Sequence, residues 1–391
     1  MQTETPVAGF KFQRPAFLKF KHSALREAFD MIDSLTFQCS DNGRVLPPPE
    51  MRKLYVNIGQ STYRLGIGGL HSNEQCKSHY STDDHQLFDV DVTSEYPMII
   101  LNQGLYPPEV GPQFVDIFRQ YVERRIEAKR SGDDVTAASL KIAINGIFGK
   151  FGSKYSFLYS PQNIVQVTLS GQGCLLMLIE DLEDEGIPVV SANTDGVVIK
   201  CPTKKVDMMR FIVNEWETKT GFETEENAYR SLHSRDVNNY IAIKSDSYKC
   251  KGEYSPPSLM KNPDSQICNE AVVRYLIDGT PLEDTIRNGK DITDFVTVRT
   301  VRDGAVDQND KYLGKVIRWY YAKGIDGSLT YKVNGYRVPK SDGAKALMDL
   351  PSNFPTDVDY EWYFGEAKSR LIDLGVPIEN TDREGHRETL N

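Results

Sequence analysis

"VVSANTDGVVIK", Val189 to Lys200, sets a small polar knot between two apolar, β-branched runs. Strands on either side of Asn193-Thr194-Asp195-Gly196 predict a tight hairpin, because Asn, Asp and Gly tolerate the backbone that such a turn requires. The hairpin puts one carboxylate, Asp195, at its tip. Taken alone, an NTDG tip is only a turn, since Asp is a common turn former. What else Asp195 does depends on what the rest of the chain brings to it.

Upstream, "QLFDVDVTSEYPMIILN" (Gln86 to Asn102) alternates and then turns helical. Phe88, Val90 and Val92 share one strand face, and Asp89 and Asp91 the other. Ser94 is placed to cap a short helix carrying Ile99 and Ile100. Next, "PQFVDIFRQYVERRIEAKR" (from Pro112) and "VTAASLKIAINGIFG" (from Val135) are helix-periodic, and Ser131-Gly132-Asp133-Asp134 breaks them into a helical hairpin. A third helix, roughly Thr168 to Asp184, ends at Gly186 and feeds the β-hairpin. Before these, "HSALREAFDMIDSL" (from His22) is helical, Pro47-Pro48-Pro49 is a break, and Tyr55 to Ser72 gives short strands with a Gly66-Ile67-Gly68-Gly69 loop. Downstream lie a helix at Val206 to Thr218, two strands in "DVNNYIAIKSDSYKCKGEY", and the helical "AVVRYLIDGTPLEDTIRNG". A β-rich stretch with an Asn334-Gly335 hairpin turn and a last amphipathic helix in "DYEWYFGEAKSRLIDLG" follow. The polar tail after Glu379 is expected to be mobile.

At 391 residues the chain exceeds one compact core, so two or three subdomains are expected. Its longest apolar stretch near a helix, Cys174 to Ile179, falls far short of a membrane span, and the N-terminus lacks the pattern of a signal peptide. The six cysteines form no CxxC pair and no zinc spacing, which predicts reduced thiols, a cytoplasmic location and no membrane partner. A net charge of −9 argues against indiscriminate nucleic-acid binding. Yet from Arg119 to Lys154 basic residues outnumber acidic ones, and a local basic stripe suffices to bind a polyanion. Glu180 to Glu185 and Glu223 to Glu226 read as solvated surface.

Two groupings carry chemistry. Asp91 and Asp195 each end an apolar strand, and two such carboxylates brought to one point suit a hard, oxygen-liking cation such as Mg²⁺. In phosphoryl transfer two such ions sit about 4 Å apart. Alone, Asp91 is equally a helix N-terminal charge and Asp195 a turn residue. Arg125 and Lys129 share a helix face, and Lys141, Asn145 and Phe148 follow the same periodicity on the next helix. Folding about Gly132 brings Lys141 near Arg125, and three converging cations suit a triphosphate. The competing reading is a solvated face with local pairing to Glu123 and Glu127.

"DVTSEYPMII", "RIEAK", "KIAINGIFGKFG" and "ANTDG", in this order, resemble motifs A, B and C of the family B DNA polymerases, over about residues 60–255. Asp91, Ser94, Tyr96 and Pro97 match the first motif, Lys141, Asn145 and Gly149 the second, and Thr194 and Asp195 the third. The resemblance implies an α+β right-hand fold of phage type, with an antiparallel-sheet palm, helical-hairpin fingers and a mixed α/β thumb. The implied spans are 1–86 leading into the palm, 87–111 palm, 112–149 fingers, 150–200 palm, 201–375 palm end and thumb, and 376–391 a flexible tail. By resemblance, Asp91, the Val92 carbonyl and Asp195 hold two Mg²⁺ ions, with Mn²⁺ as a substitute, and the two aspartates are catalytic. Ser94, Tyr96, Arg125, Lys129, Lys141, Asn145 and Phe148 bind the nucleotide, Tyr96 packing beneath the sugar to exclude a 2′-hydroxyl. Gly149, Lys150, Tyr240 and Lys251 contact DNA, the last two as elements that grip the primer.

The implied activity is addition of dNTPs to a primer 3′-hydroxyl on template DNA. Several positions depart from the family pattern: Asn193 stands for an Asp, Gly196 and Gly146 for Ser, Phe148 for Tyr and Glu95 for Leu, and Asn238 and Asn239 interrupt the primer-gripping motif. Glu95 puts a charge beside the sugar pocket. Only 90 residues precede Asp91, too few for the family's usual exonuclease domain, so proofreading is expected from a separate exonuclease chain or a replication accessory protein. Two rivals remain: a two-metal nuclease, which has no use for a triphosphate clamp, and a catalytically silent, polymerase-like DNA-binding subunit.

Overall fold

The alternation of Phe88, Val90 and Val92 with Asp89 and Asp91 builds an inner strand of a seven-stranded antiparallel sheet. The computed structural model describes residues 9–258 and 261–377. It divides the chain into two units: residues up to Glu74 with His79–Arg230, and Gln75–Ser78 with the residues from Ser231 onward.

The first unit opens with α1 (Ser23–Ser34), whose Leu25, Phe29 and Ile32 form a buried stripe at helical spacing. A two-stranded ribbon, β1 (Gln38–Cys39) and β2 (Val45–Leu46), precedes β3 (Tyr55–Ile58), β4 (Ser61–Arg64) and β5 (His71–Ser72). Strand β6 (Gln75–Tyr80) lies mostly with the second unit. Then come β7 (His85–Val92), α2 (Glu95–Asn102), α3 (Gln113–Ser131), α4 (Asp134–Lys150) and α5 (Pro161–Asp184). The hairpin β8 (Val189–Asn193) and β9 (Gly196–Pro202), α6 (Val206–Thr220) and β10 (Thr224–Tyr229) complete it. The sheet runs β10-β7-β9-β8-β5-β4-β3, so the strand that carries Asp91 near its end and the strand that starts after Asp195 are neighbours, second and third from the β10 edge. Helix α6 and β10, which the sequence reading put in the span 201–375, belong to this unit.

Helix α5 is buried almost from end to end, its polar side chains included. It begins at Pro161, seven residues before the expected Thr168. Gln162, Asn163 and Gln166 read as loop polarity, but Asn163 and Gln166 are buried amides with partners. Gln166 Nε2 donates to the Gln13 carbonyl at 2.8 Å and to Gln103 Oε1 at 2.8 Å, and Asn163 Nδ2 donates to the Tyr106 carbonyl at 2.9 Å. Trp216 of α6 is fully buried and donates its indole N–H to the Cys174 carbonyl at 2.7 Å, tying α6 to α5.

The second unit holds a four-stranded sheet, with β11 (Ser231–Asp236), β12 (Asn239–Ile243) and β13 (Tyr248–Cys250) continuing from β6. Helices α7 (Gln266–Asp278) and α8 (Leu282–Asn288) follow. They split the expected helical stretch because Gly279 adopts φ +78° and Pro281 cannot continue a helix. A five-stranded sheet comprises β14 (Thr297–Val306), β15 (Tyr312–Tyr321), β16 (Ser328–Tyr331), β17 (Arg337–Asp342) and β18 (Ala344–Ala346), in the order β17-β16-β14-β15-β18. Gly335 turns β16 into β17 at φ +68°, as the Asn-Gly pair predicts. Helix α9 (Tyr360–Asp373) buries Tyr363, Ala367 and Leu371 in this unit's own core. Among the described residues no helix is long and apolar enough to cross a membrane. The expected tail, 376–391, lies almost wholly outside the described residues.

Candidate active site

The hairpin at the centre of the first unit is tight because Thr194 carries the turn at φ +56° and the Asp195 amide donates back to the Asn193 carbonyl at 2.7 Å. A β-branched residue in this region is strained, and such strain persists only where surroundings enforce it. Two contacts do so. The Thr194 amide donates to the Leu70 carbonyl at 2.8 Å, and the Thr194 side chain lies so close to Gly69 that a Cβ there would meet its Oγ1 at 2.4 Å. The glycine loop is in turn held by fully buried Gln172 of α5, whose Nε2 donates to the carbonyls of Gly66 (2.8 Å) and Gly68 (2.6 Å).

Register then joins the two aspartates. Asp91 pairs with Gly196, and the Val92 amide donates to the Asp195 carbonyl at 2.7 Å. A Cβ on Gly196 would meet Asp91 Oδ1 at 2.9 Å, so the missing side chain at 196 is the space in which the Asp91 carboxylate lies. Both aspartates line one cleft with Val92, Ser94, Glu95, Tyr96, Arg125, Lys129, Lys141, Asn145, Thr194 and Glu225. The carboxylates come from the sheet and the cations from the helical hairpin, which Gly132 turns at φ +76° and Asp133 caps by accepting from the Thr136 amide at 3.0 Å.

Ser94 is not the helix cap its sequence position suggests. It sits at φ +58°, makes no capping bond, and its hydroxyl instead accepts from the Arg125 guanidinium. The left-handed backbone turns the hydroxyl away from the helix end toward α3. The carboxylates that meet the cationic face come from β10 and the residue just before it rather than from Glu123 or Glu127. Lys129 pairs with Glu225, and Arg130 with Glu223 at 3.3 Å. Glu225 was missed because "TEENAY" reads as solvated surface; its signal lies only in the register, where it stands opposite Asp91.

Glu95 is 2% exposed, and neither of its carboxylate oxygens has a hydrogen-bond partner. It packs on α5, where a Cβ at Gly171 would meet its Oε1 at 2.9 Å. Burial above all, then the charges of Asp195 and Asp91, hold its carboxyl well above the usual range. The charge suggested by the sequence is thus disfavoured by the fold. Burial, followed by Glu95 and Asp195, likewise raises the Tyr96 hydroxyl. The Tyr96 ring packs on Phe148 of α4, centroids 4.9 Å apart and planes tilted by 52°.

Gly149 and Lys150 lie at the exposed end of α4. Tyr240 and Lys251 belong to the second unit, where the Lys251 amide donates to the Tyr240 carbonyl at 2.9 Å and makes them neighbours. Chemically, the cleft offers hard oxygen donors beside a set of cations, which suits a polyanion carried with a divalent ion. Among the described residues no three His, Cys, Asp or Glu gather to hold a metal by themselves.

No protein-family model matches the chain. A stretch of 119 residues, 30% of the chain, is 31% identical to DNA polymerase 1 of Aeropyrum pernix, of which it covers 12%. The structure of the family B DNA polymerase from Pyrobaculum calidifontis superposes with a TM-score of 0.49 at 16% identity, over 93% of this chain and 50% of that one. The chain therefore spans about half of that structure and a far smaller share of the curated relative it matches.

Proposed function

We propose that this chain is the polymerase module of a family B DNA polymerase, extending a primer 3′-hydroxyl on template DNA with dNTPs. One observation carries the reading: two register-coupled aspartates and the cations of a helical hairpin line the same cleft. In this reading the seven-stranded sheet is the palm, α3 and α4 are the fingers, and the second unit supplies the end of the palm and the thumb. The local likeness to a DNA polymerase supports it. Phage origin remains part of the proposal.

The residues present fit Mg²⁺: the Asp91 carboxylate fills the gap at Gly196, and the cleft's donors are oxygens. With Asp91, Asp195 and the Val92 carbonyl as the protein ligands, water and substrate phosphates would complete the coordination, as this ion favours. Bound by Asp91 and Asp195, Mg²⁺ would activate the primer hydroxyl and neutralise phosphate charge. Arg125, Lys129 and Lys141 bind and orient the triphosphate, Lys129 exchanging Glu225 for phosphate. Tyr96, packed on Phe148, forms the floor beneath the sugar. The primer oxygen then bonds to the α-phosphorus, its proton leaves to solvent, and the bond to the β-phosphate breaks to release pyrophosphate.

Primer extension by the whole chain tests this. Asp195→Ala should lower the rate at least about 100-fold, since it removes an interaction worth several kcal/mol in the transition state. Equal extension by the variant would refute the assignment. A wild type that binds primer-template but extends nothing, in Mg²⁺ or Mn²⁺, would leave a DNA-binding subunit instead.

A further inference from the structure

The most exposed large apolar side chain of the described residues is Tyr155, at 89%, and Phe157 follows two residues later at 73%. They stand on the ten-residue link between α4 and α5, which successive turns tie down. Ser153, Ser156 and Tyr159 each donate to the carbonyl three residues back, at 2.9–3.1 Å, and the Ser160 amide closes onto the Phe151 carbonyl at 2.9 Å. Phe151 is fully buried, Leu158 packs on the core, and the Tyr159 hydroxyl donates to the Gly43 carbonyl at 2.8 Å. The link is therefore anchored by three side chains, while two aromatic rings are turned to water. Lone exposed aromatics are ordinary, but a pair presented by an anchored loop marks a contact surface.

Charge says what the surface meets. From Val135 to Ile179 the chain carries no Asp or Glu, although 55 of its 391 residues are acidic. Lys150 lies at the exposed end of α4 where the link begins, and Lys154 Nζ lies 5.5 Å above the Tyr155 ring and donates to the Asp41 carbonyl at 2.7 Å. Rings for stacking and amines for phosphate, on a stretch of chain that itself carries no carboxylate, are the features of a platform for unpaired nucleic acid.

We propose that Tyr155 and Phe157, with Lys150 and Lys154, stack the bases of a single-stranded nucleic acid. That this strand is the unpaired template rests on the polymerase reading. The test is fluorescence anisotropy of the whole chain with a labelled oligo(dT) of about 16 nucleotides and with a blunt duplex, without nucleotide or divalent metal. Tyr155→Ala/Phe157→Ala should weaken oligo(dT) binding about tenfold or more, with duplex binding changed less than about twofold, because stacking needs unpaired bases. Tyr155→Trp/Phe157→Trp should retain binding, since every aromatic face stacks. Unchanged oligo(dT) affinity, equal losses on both ligands, or failure of the Trp variant to bind would overturn the platform. A wild type that extends primers while oligo(dT) affinity ignores the alanines sinks the platform alone. One that loses oligo(dT) binding with the alanines yet extends nothing sinks the polymerase reading alone.

Discussion

Glu95 holds its carboxyl between the two aspartates and Gly171, with no partner for either oxygen. Its oddity was visible in the sequence, but its burial was not, because the wall it meets is a glycine on a helix far along the chain. The sign of its effect on stability follows from the direction of its shift. A carboxyl whose folded pKa lies above its unfolded value of about 4.5 contributes most below that pH, and this is lost as pH rises through the folded value. Glu95→Gln removes the dependence while keeping the shape. The variant should therefore gain stability over the wild type as pH rises from 5 to 8, measured by urea unfolding with a chelator present. A stability difference that stays flat across this range would mean that the carboxyl is not held neutral. The positions of Asp91 and Asp195 were legible for the opposite reason: an alternating strand carries the one and a turn between apolar, β-branched runs the other, and such local patterns survive folding.

At the scale of elements, the hairpin tip and the end of β7 form one device, and Gly196 is the hinge of its geometry. An alanine there would bring its Cβ to 2.9 Å from Asp91 Oδ1, the far end of a flexible side chain, and to 3.2 Å from the Val90 carbonyl. The carboxylate gives way before the backbone does. Gly196→Ala should cost little stability, about 1 kcal/mol, while a displacement of the order of 1 Å costs up to about 100-fold in extension rate. Thermal melting alongside primer extension checks the split; equal loss in both would show that the glycine serves packing alone. Pairing of this kind was only half legible. Gly132, Asp133 and the helix periods announced the helical hairpin, but nothing local announced that β10 would lie against β7 and set Glu225 opposite Asp91. The early start of α5 was hidden likewise, because buried amides and loop amides look alike in a sequence.

Over the whole molecule, each unit has its own stretch rich in basic residues. The chain is acidic overall, but from Thr297 to Ala346, the five-stranded sheet of the second unit, ten basic residues face five acidic ones. The boundary between Arg230 and Ser231 escaped the sequence reading because "AYRSLHS" runs from one strand into the next with only Arg230 between them. Every cation of the cleft lies in the first unit, whereas Tyr240 and Lys251 lie in the second. If Lys129 serves triphosphate and Lys251 serves the DNA backbone, their losses must differ in kind. Lys129→Ala should raise the nucleotide Kd about tenfold and leave primer-template affinity nearly intact, as loss of one charge-assisted phosphate contact predicts. Lys251→Ala should weaken primer-template binding on any sequence and lower the slope of log K against log salt by about 1, with the nucleotide Kd unmoved. Titrations of both ligands at several salt concentrations read the two effects independently. A Lys251→Ala chain with an unchanged salt slope would remove that lysine from the DNA contact and leave the nucleotide cleft as the better supported half of the proposal.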